Sequence, residues 1–403
     1  MYYAETLRVC ESVTKDMNSR FDEIVERKGT ASVKHDNMEA HFGQTDLLPM
    51  WVADMDFKSP QVVLDAAMER CKHGVFGYSF RTDDAKQAFV DWVAKRDNWQ
   101  ISKECVTISP GICTALSIAV RCYSKTGDRV VIMTPVYHPF HEVVLRNERE
   151  LSRSPLHFNG SGYEIDWVDL ESRLNGAAML ILCNPHNPLG RAWSVEELKR
   201  MGDLCVKYGV IIISDEIHSD LMLFKRQHHV MAQTSPEIAD ITLTCMAPSK
   251  TFNIAGMLNS LVVATNPELL RKFNEEITTL HLDLGNLFGH ITLEAAYRHG
   301  AEWLDELMEY LSESVLIAEK FVAEEIPGVT FVRPEASFLI WLDFRGTGYS
   351  HTEVKERLIS KGRVALNDGL EFGADGEGFM RLNIGCPHSV LLDGLNRIKL
   401  AMQ

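Results

Sequence analysis

Lys250 follows a proline and a serine in Met246-Ala247-Pro248-Ser249-Lys250-Thr251-Phe252-Asn253-Ile254-Ala255-Gly256, just after the apolar run 241–245. The run reads as a buried strand and the small residues after it as a turn. An amine at the end of a buried strand is costly unless it is paired, neutralised or used covalently. Its covalent use is an imine with a carbonyl compound. Asp215 closes the apolar stretch 209–214, where its charge would favour the protonated form of a neighbouring ring nitrogen. Asn187, in the turn Asn184-Pro185-His186-Asn187-Pro188, offers a side-chain donor, and Tyr137 could stack on a ring face. Arg381, in the apolar stretch 379–384, suits a planar, two-pronged clamp on a carboxylate. Gly111-Ile112-Cys113 lie where the strand candidate starting at Val106 turns into a helix, whose first amides could hold a phosphate. Taken singly, each has an ordinary explanation: a helix cap, a plain turn, a core aromatic, a solvated lysine.

The elements that must position these residues make them more than a scatter. Four strand candidates, 129–134, 178–183, 210–214 and 241–245, alternate with helical stretches. One of these helices, 195–208, opens on a capping box of Ser194 and Glu197. Apolar strands alternating with helices imply a parallel sheet covered on both faces, whose ligands bind beyond the strand C-terminal ends. Those four ends lead into Tyr137, Asn184–Pro188, Asp215-Glu216 and Ser249-Lys250, so the candidates converge on one rim.

The expected fold class is α/β: a large domain on a mostly parallel sheet with a smaller α+β domain. Residues 1–55 read as an N-terminal arm and part of the small domain, 56–290 as the large domain and 291–403 as the small C-terminal domain. Residues 1–19 suggest a helix or arm, and 21–36 carry alternating charges and little core. Leu47–Phe57 reads as irregular, broken by Asp54 and Asp56, which a plain reading makes capping carboxylates. Ser59-Pro60 looks like a helix start with serine as cap. Residues 73–78 form a glycine-punctuated loop with an exposed Tyr78, and 83–99 a helix. A long helical region runs from about Asn286 to Glu325, followed by strands at 329–332, 338–342 and 379–384 and a helix at 353–360.

With 403 residues, 45% hydrophobic and 24% charged, the chain is ordinary for a soluble two-domain protein. Its formal net charge of -15, with no basic block, speaks against a nucleic-acid partner. No apolar run approaches membrane-spanning length and the N-terminus lacks a signal-peptide pattern, so a cytoplasmic protein is expected. Its nine scattered cysteines form no Cys-x-x-Cys pair, which points to neither a zinc site nor a disulfide framework.

Taken together, Asn184–Gly190, Ser214–Asp220, Ser249–Gly256 and Arg381-Leu382-Asn383 resemble the fold-type I pyridoxal-phosphate enzymes of the class I/II aminotransferase superfamily. With Trp51–Phe57, His73–Tyr78 and Arg381–Pro387, the chain is most similar to the MalY/PatB-type cystathionine β-lyases, from about Phe21 onward. The resemblance implies pyridoxal 5'-phosphate bound covalently to Lys250, which would then serve as base at the substrate Cα. It places Asp215 on the ring nitrogen, Asn187 and His218 near the ring oxygen and Tyr137 on the ring face. It puts the phosphate on Gly111, Ile112, Cys113 and Ser249, and on Tyr78 of a neighbouring subunit in a homodimer with shared active sites. Arg381 would bind the substrate carboxylate, with Asn187 and Tyr78 beside it. The implied reaction is α,β-elimination on cystathionine or a related cysteine S-conjugate, giving a thiol, pyruvate and ammonia. An aminotransferase on the same scaffold is the alternative enzyme, and a fold-retaining protein that binds a transcription regulator is the alternative of another class. Two departures stand out. Leu258 occupies the place of a phosphate-binding arginine common in aminotransferases of this fold, an absence that the MalY/PatB type shares. Leu189 replaces a threonine common in their Asn-Pro turn.

Overall fold

A computed structural model describes residues 19–80 and 82–403; apart from Ser19, the expected helix or arm lies outside the described residues. The larger of its sheets has eight strands: β1 (Val106–Ser109), β2 (Arg129–Thr134), β3 (Glu150–Phe158), β4 (Tyr163–Ile165), β5 (Met179–Cys183), β6 (Ile211–Asp215), β7 (Thr242–Met246) and β8 (Ser260–Val263). They lie in the order β1-β8-β7-β6-β5-β2-β3-β4. The four strands expected from the sequence are the parallel centre, β2-β5-β6-β7. β5 and β7 are buried along their whole length, as strands covered on both faces must be; β5 is an unbroken apolar run, whereas β7 sets Thr242 and Thr244 among its apolar residues.

The sheet is not wholly parallel. β8 runs antiparallel to both β7 and β1, and β4 runs antiparallel to β3. The link from β7 to β8 contains only short helical turns, Pro248–Thr251 and Ala255–Met257, rather than the crossover helix that a parallel neighbour would need. That link carries Lys250.

A second sheet, antiparallel throughout, is built from β9 (Thr330–Phe331), β10 (Leu339–Asp343), β11 (Asn367–Asp368) and β12 (Phe379–Asn383) in the order β9-β10-β12-β11. Leu48–Pro49 pairs in parallel with Val364–Ala365, tying the N-terminal segment to the C-terminal part of the chain. The long helical region is two helices, Leu287–His299 and Ala301–Glu325, divided at Gly300.

Two expectations near the N-terminus need correction. Ser59 does not cap the helix Gln61–His73: Pro60 is the residue at its start, and the Ser59 hydroxyl donates to the Asn253 carbonyl at 3.1 Å. The stretch 21–36 has little core, as expected, with Phe21 its one buried apolar residue. Phe21 is buried against the rings of Phe57, Trp303 and Tyr310. Asp54 and Asp56 are not caps but anions in an ion cluster. Arg27 donates to Asp54 Oδ2 at 2.7 Å and Asp56 Oδ1 at 2.6 Å, and the buried Lys34 reaches Asp56 Oδ2 at 2.7 Å. Fully buried lysines are found only with such partners.

Candidate active site

The strand register brings the candidates to one level. Cys183 of β5 pairs with Asp215 of β6, which in turn pairs with Cys245 of β7. The Asn184–Pro188 turn, Asp215 and the lysine turn therefore leave the sheet side by side. Backbone bonds fasten the exits: Asn184 N to Asp215 O at 2.9 Å, Glu216 N to Cys245 O at 2.8 Å, and Tyr137 N to Asn187 O at 3.0 Å.

Asp215 is 2% exposed. Its Oδ1 accepts from the Ile217 amide at 3.1 Å. Burial pushes its carboxyl up to about 7, against the pull of that amide and of the Lys250 charge. Lys250 responds in the opposite sense: burial pulls its ammonium down, while Asp54 and Asp215 hold it up and Arg381 opposes them. Its Nζ donates to the Ala53 carbonyl at 2.6 Å. His218 is buried, and burial with the nearby Lys250 and Arg381 charges pulls its imidazole down to about 3, so it is neutral with Nδ1 unpaired.

Arg381 is 3% exposed and comes from the second sheet. Nη1 donates to Asn187 Oδ1 at 3.0 Å; Nη2 donates to the Trp51 carbonyl at 3.1 Å and to Asn367 Oδ1. The guanidinium lies 4.9 Å from the Phe372 ring centre and its Nε has no partner. Burial draws its pKa down to about 10. Tyr137, raised by burial, shares a hydrogen bond with the Cys113 thiol and feels both Arg381 and Asp215. Cys113 stands in the first turn of the helix Ile112–Tyr123. At Gly111, just before that helix, an added Cβ would meet nothing within 4 Å, so there is open space in front of the helix N-terminus. Ser249 is half-buried in the turn Pro248–Thr251.

Lys250, Asp215, Asn187, His218, Tyr137, Cys113 and Arg381 are thus joined into one cluster, each within electrostatic or hydrogen-bond range of at least one other. Tyr78 stands apart, 98% exposed on its loop. The sequence reading named neither Asn367 nor the Trp51 and Ala53 carbonyls. Asn367 is the cross-strand partner of Arg381, so their side chains share a face. A backbone carbonyl carries no residue-type signal. Irregular structure over 47–57 was the available clue, because it frees carbonyls from a ladder.

The aminotransferase class I and II family matches residues 45–398. Cystathionine beta-lyase PatB of Bacillus subtilis is 46% identical over 384 residues, covering 95% of this chain and 99% of that protein. Protein MalY of Escherichia coli is 33% identical over 380 residues, covering 93% and 96%. The crystal structure of the PLP-bound C-S lyase from Staphylococcus hominis superimposes with a TM-score of 0.88 at 33% identity, covering 96% of this chain and 98% of that one.

Proposed function

The chain belongs to the aminotransferase class I and II family, in the group that holds PatB and MalY, and from that premise we propose that it is a pyridoxal-phosphate-dependent carbon–sulfur lyase. Its reaction is the α,β-elimination of L-cystathionine or a related cysteine S-conjugate, to a thiol, pyruvate and ammonia. The observation that carries this reading is the meeting of Lys250, Asp215 and Arg381 in a chain 46% identical, over 95% of its length, to a cystathionine beta-lyase.

The residues fit the cofactor. A buried carboxylate within range of a lysine charge suits a protonated ring nitrogen. The unpaired Nδ1 of His218 and Nε of Arg381 await partners. The open space before Gly111 suits a phosphate at a helix N-terminus. Lys250, Asp215, Asn187, His218 and Tyr137 would hold its aldehyde and ring; Gly111, Ile112, Cys113 and Ser249 would hold its phosphate. When bound, the cofactor supplies an electron-poor ring that stabilises negative charge at the substrate Cα. The chain supplies the rest. Arg381 orients the substrate carboxylate by its charge and by the donors it has left over, the unpaired Nε among them. Lys250 Nζ, released from its partner, takes the Cα proton, and burial keeps its neutral form accessible. Asp215 would favour a proton on the cofactor's ring nitrogen by its charge.

Two copies are proposed to complete the site. Val75, Phe76, Tyr78 and Phe80 are exposed on one loop, an apolar surface that a second copy would cover, with Tyr78 reaching its partner's phosphate site. The small domain is proposed to include the N-terminal segment through the Leu48–Pro49 pairing. A cytoplasmic setting accords with the free cysteines, and no helix among the described residues is long and apolar enough to cross a membrane. Supplying cystathionine without a keto acid tests the function: pyruvate must appear at catalytic rates, whereas an aminotransferase would stall.

A further inference from the structure

Asp215 ends β6 and Lys250 lies in the turn after β7, and one carboxylate fastens the segments that follow them. Asp220 Oδ2 accepts from the Thr251 hydroxyl at 2.9 Å, and its Oδ1 accepts from Trp92 Nε1 at 2.8 Å. Thr251 is the residue after Lys250 and is wholly buried. Trp92 also sets its ring against that of Phe252, the next residue, at 5.6 Å and edge-on. Asn253 ties the same turn to the segment 55–57. It adopts a left-handed backbone with φ of 56°; its Oδ1 accepts from the Met55 amide at 3.0 Å, and its Nδ2 donates to the Met55 and Phe57 carbonyls at 2.9 and 2.7 Å.

A carboxylate is a costly way to fill the Asp220 position. Burial raises its pKa and both of its hydrogen-bond donors are neutral. The Arg96 and His228 charges act in the opposite sense and offset part of that cost. What the carboxylate provides is two acceptors in fixed directions, one for each wall of the lysine turn.

We propose that Asp220 is a positioning residue for the reaction: through Thr251 it braces the turn that aims the Lys250 amine, relative to the loop that begins at Asp215. The proposal rests on Lys250 being the reacting amine. It is tested with Thr251→Val, Thr251→Ser and Trp92→Phe in the full chain loaded with pyridoxal phosphate. A misaimed group should lower kcat for cystathionine by about tenfold to a hundredfold in the Val variant, with KM within about threefold. The pH midpoint of the bound cofactor's visible absorbance should move with it. Serine keeps the hydroxyl and should restore both readouts, while Trp92→Phe, which removes the other donor and keeps a ring against Phe252, should shift them in the Val direction. A Val variant that loads with cofactor and matches the wild type in kcat and absorbance midpoint overturns the brace. Equal losses in the Val and Ser variants overturn it as well, because they would assign the effect to packing. Where the Val variant does not fold, the Trp92→Phe result decides between the same two outcomes. Wild-type protein that takes up no pyridoxal phosphate overturns the functional reading beneath the brace, a result distinct from the others.

Discussion

Arg381 Nη1 donates to Asn187 Oδ1 at 3.0 Å, joining β12 of the second sheet to the turn that leaves β5 of the first. The bond settles which way the Asn187 amide lies: its oxygen is taken by the guanidinium, so its NH2 is left to donate elsewhere. It also sets the two donor edges of Arg381, with Asn367 and Trp51 holding the other amino group.

Arg381→Lys should therefore fail although charge is kept. An ammonium is a point charge and cannot replace a planar fork that holds Asn187, Trp51 and Asn367 at once, so the change leaves buried oxygens unpaired. The expected outcome is a fall in kcat/KM for cystathionine of about a hundredfold, roughly 2.7 kcal/mol. Steady-state kinetics on the loaded protein check it, and a change of less than about threefold would sink the clamp.

Asp215 makes a prediction about stability. Burial raises its folded pKa to about 7 from the ordinary 3.8. A carboxyl held up in the fold contributes stability that is fully present below about pH 4 and is lost as the pH climbs through about 7. In the cofactor-free protein, Asp215→Asn, which cannot ionise, should accordingly melt above the wild type at pH 8 and less so at pH 5. The upper limit of the gap is roughly 4 kcal/mol. Loading with cofactor should reverse the order, because a facing cation favours the carboxylate. Thermal melts of both proteins at the two pH values check it, and a gap that does not change with pH would refute the assignment.

Much of the site was legible because the rim of a parallel sheet collects whatever follows its strands. β2, β5, β6 and β7 were readable as apolar runs, and their register set Asp215 beside the two neighbouring exits. β3 was not readable. It alternates properly, but two of its three buried positions are Ser152 and Ser154, so the inward face carries little hydrophobic signal. β8 is four residues long, too short for periodicity to separate strand from helix. Phe21 and Lys34 were missed because their partners, Trp303 and Tyr310 for one and Asp56 for the other, are remote in sequence. The Asp220–Thr251 bond was hidden for the same reason: nothing in Ser219-Asp220-Leu221 says that its carboxylate faces the lysine turn.

The cysteines give a footprint. Among the described residues Cys71 and Cys113 are exposed, whereas Cys183, Cys205, Cys245 and Cys386 are buried. Although part of its side chain reaches the surface, desolvation around the Cys113 sulfur and the Asp215 charge raise the thiol, so it should react more slowly than an ordinary surface thiol. If its helix turn holds the phosphate, loading with pyridoxal phosphate should protect Cys113 and leave Cys71 unchanged. Peptide mapping after a short alkylation checks this; equal labelling of Cys113 with and without cofactor would remove it from the cup.

The shared site is tested by mixing two defective proteins. Lys250→Ala should release no pyruvate and lack the visible absorbance of the covalently held cofactor. Tyr78→Ala should weaken cofactor binding, because its ring, 98% exposed in one copy, is proposed to serve the other. Each variant alone should be deficient. In a mixed dimer, however, one of the two sites takes its lysine from the Tyr78→Ala chain and its tyrosine from the Lys250→Ala chain, so it is intact. Unfolding the two variants together and refolding them should return activity that neither shows by itself, with size-exclusion chromatography reporting a dimer. A refolded mixture no more active than the sum of its parts would place Tyr78 outside the partner's site.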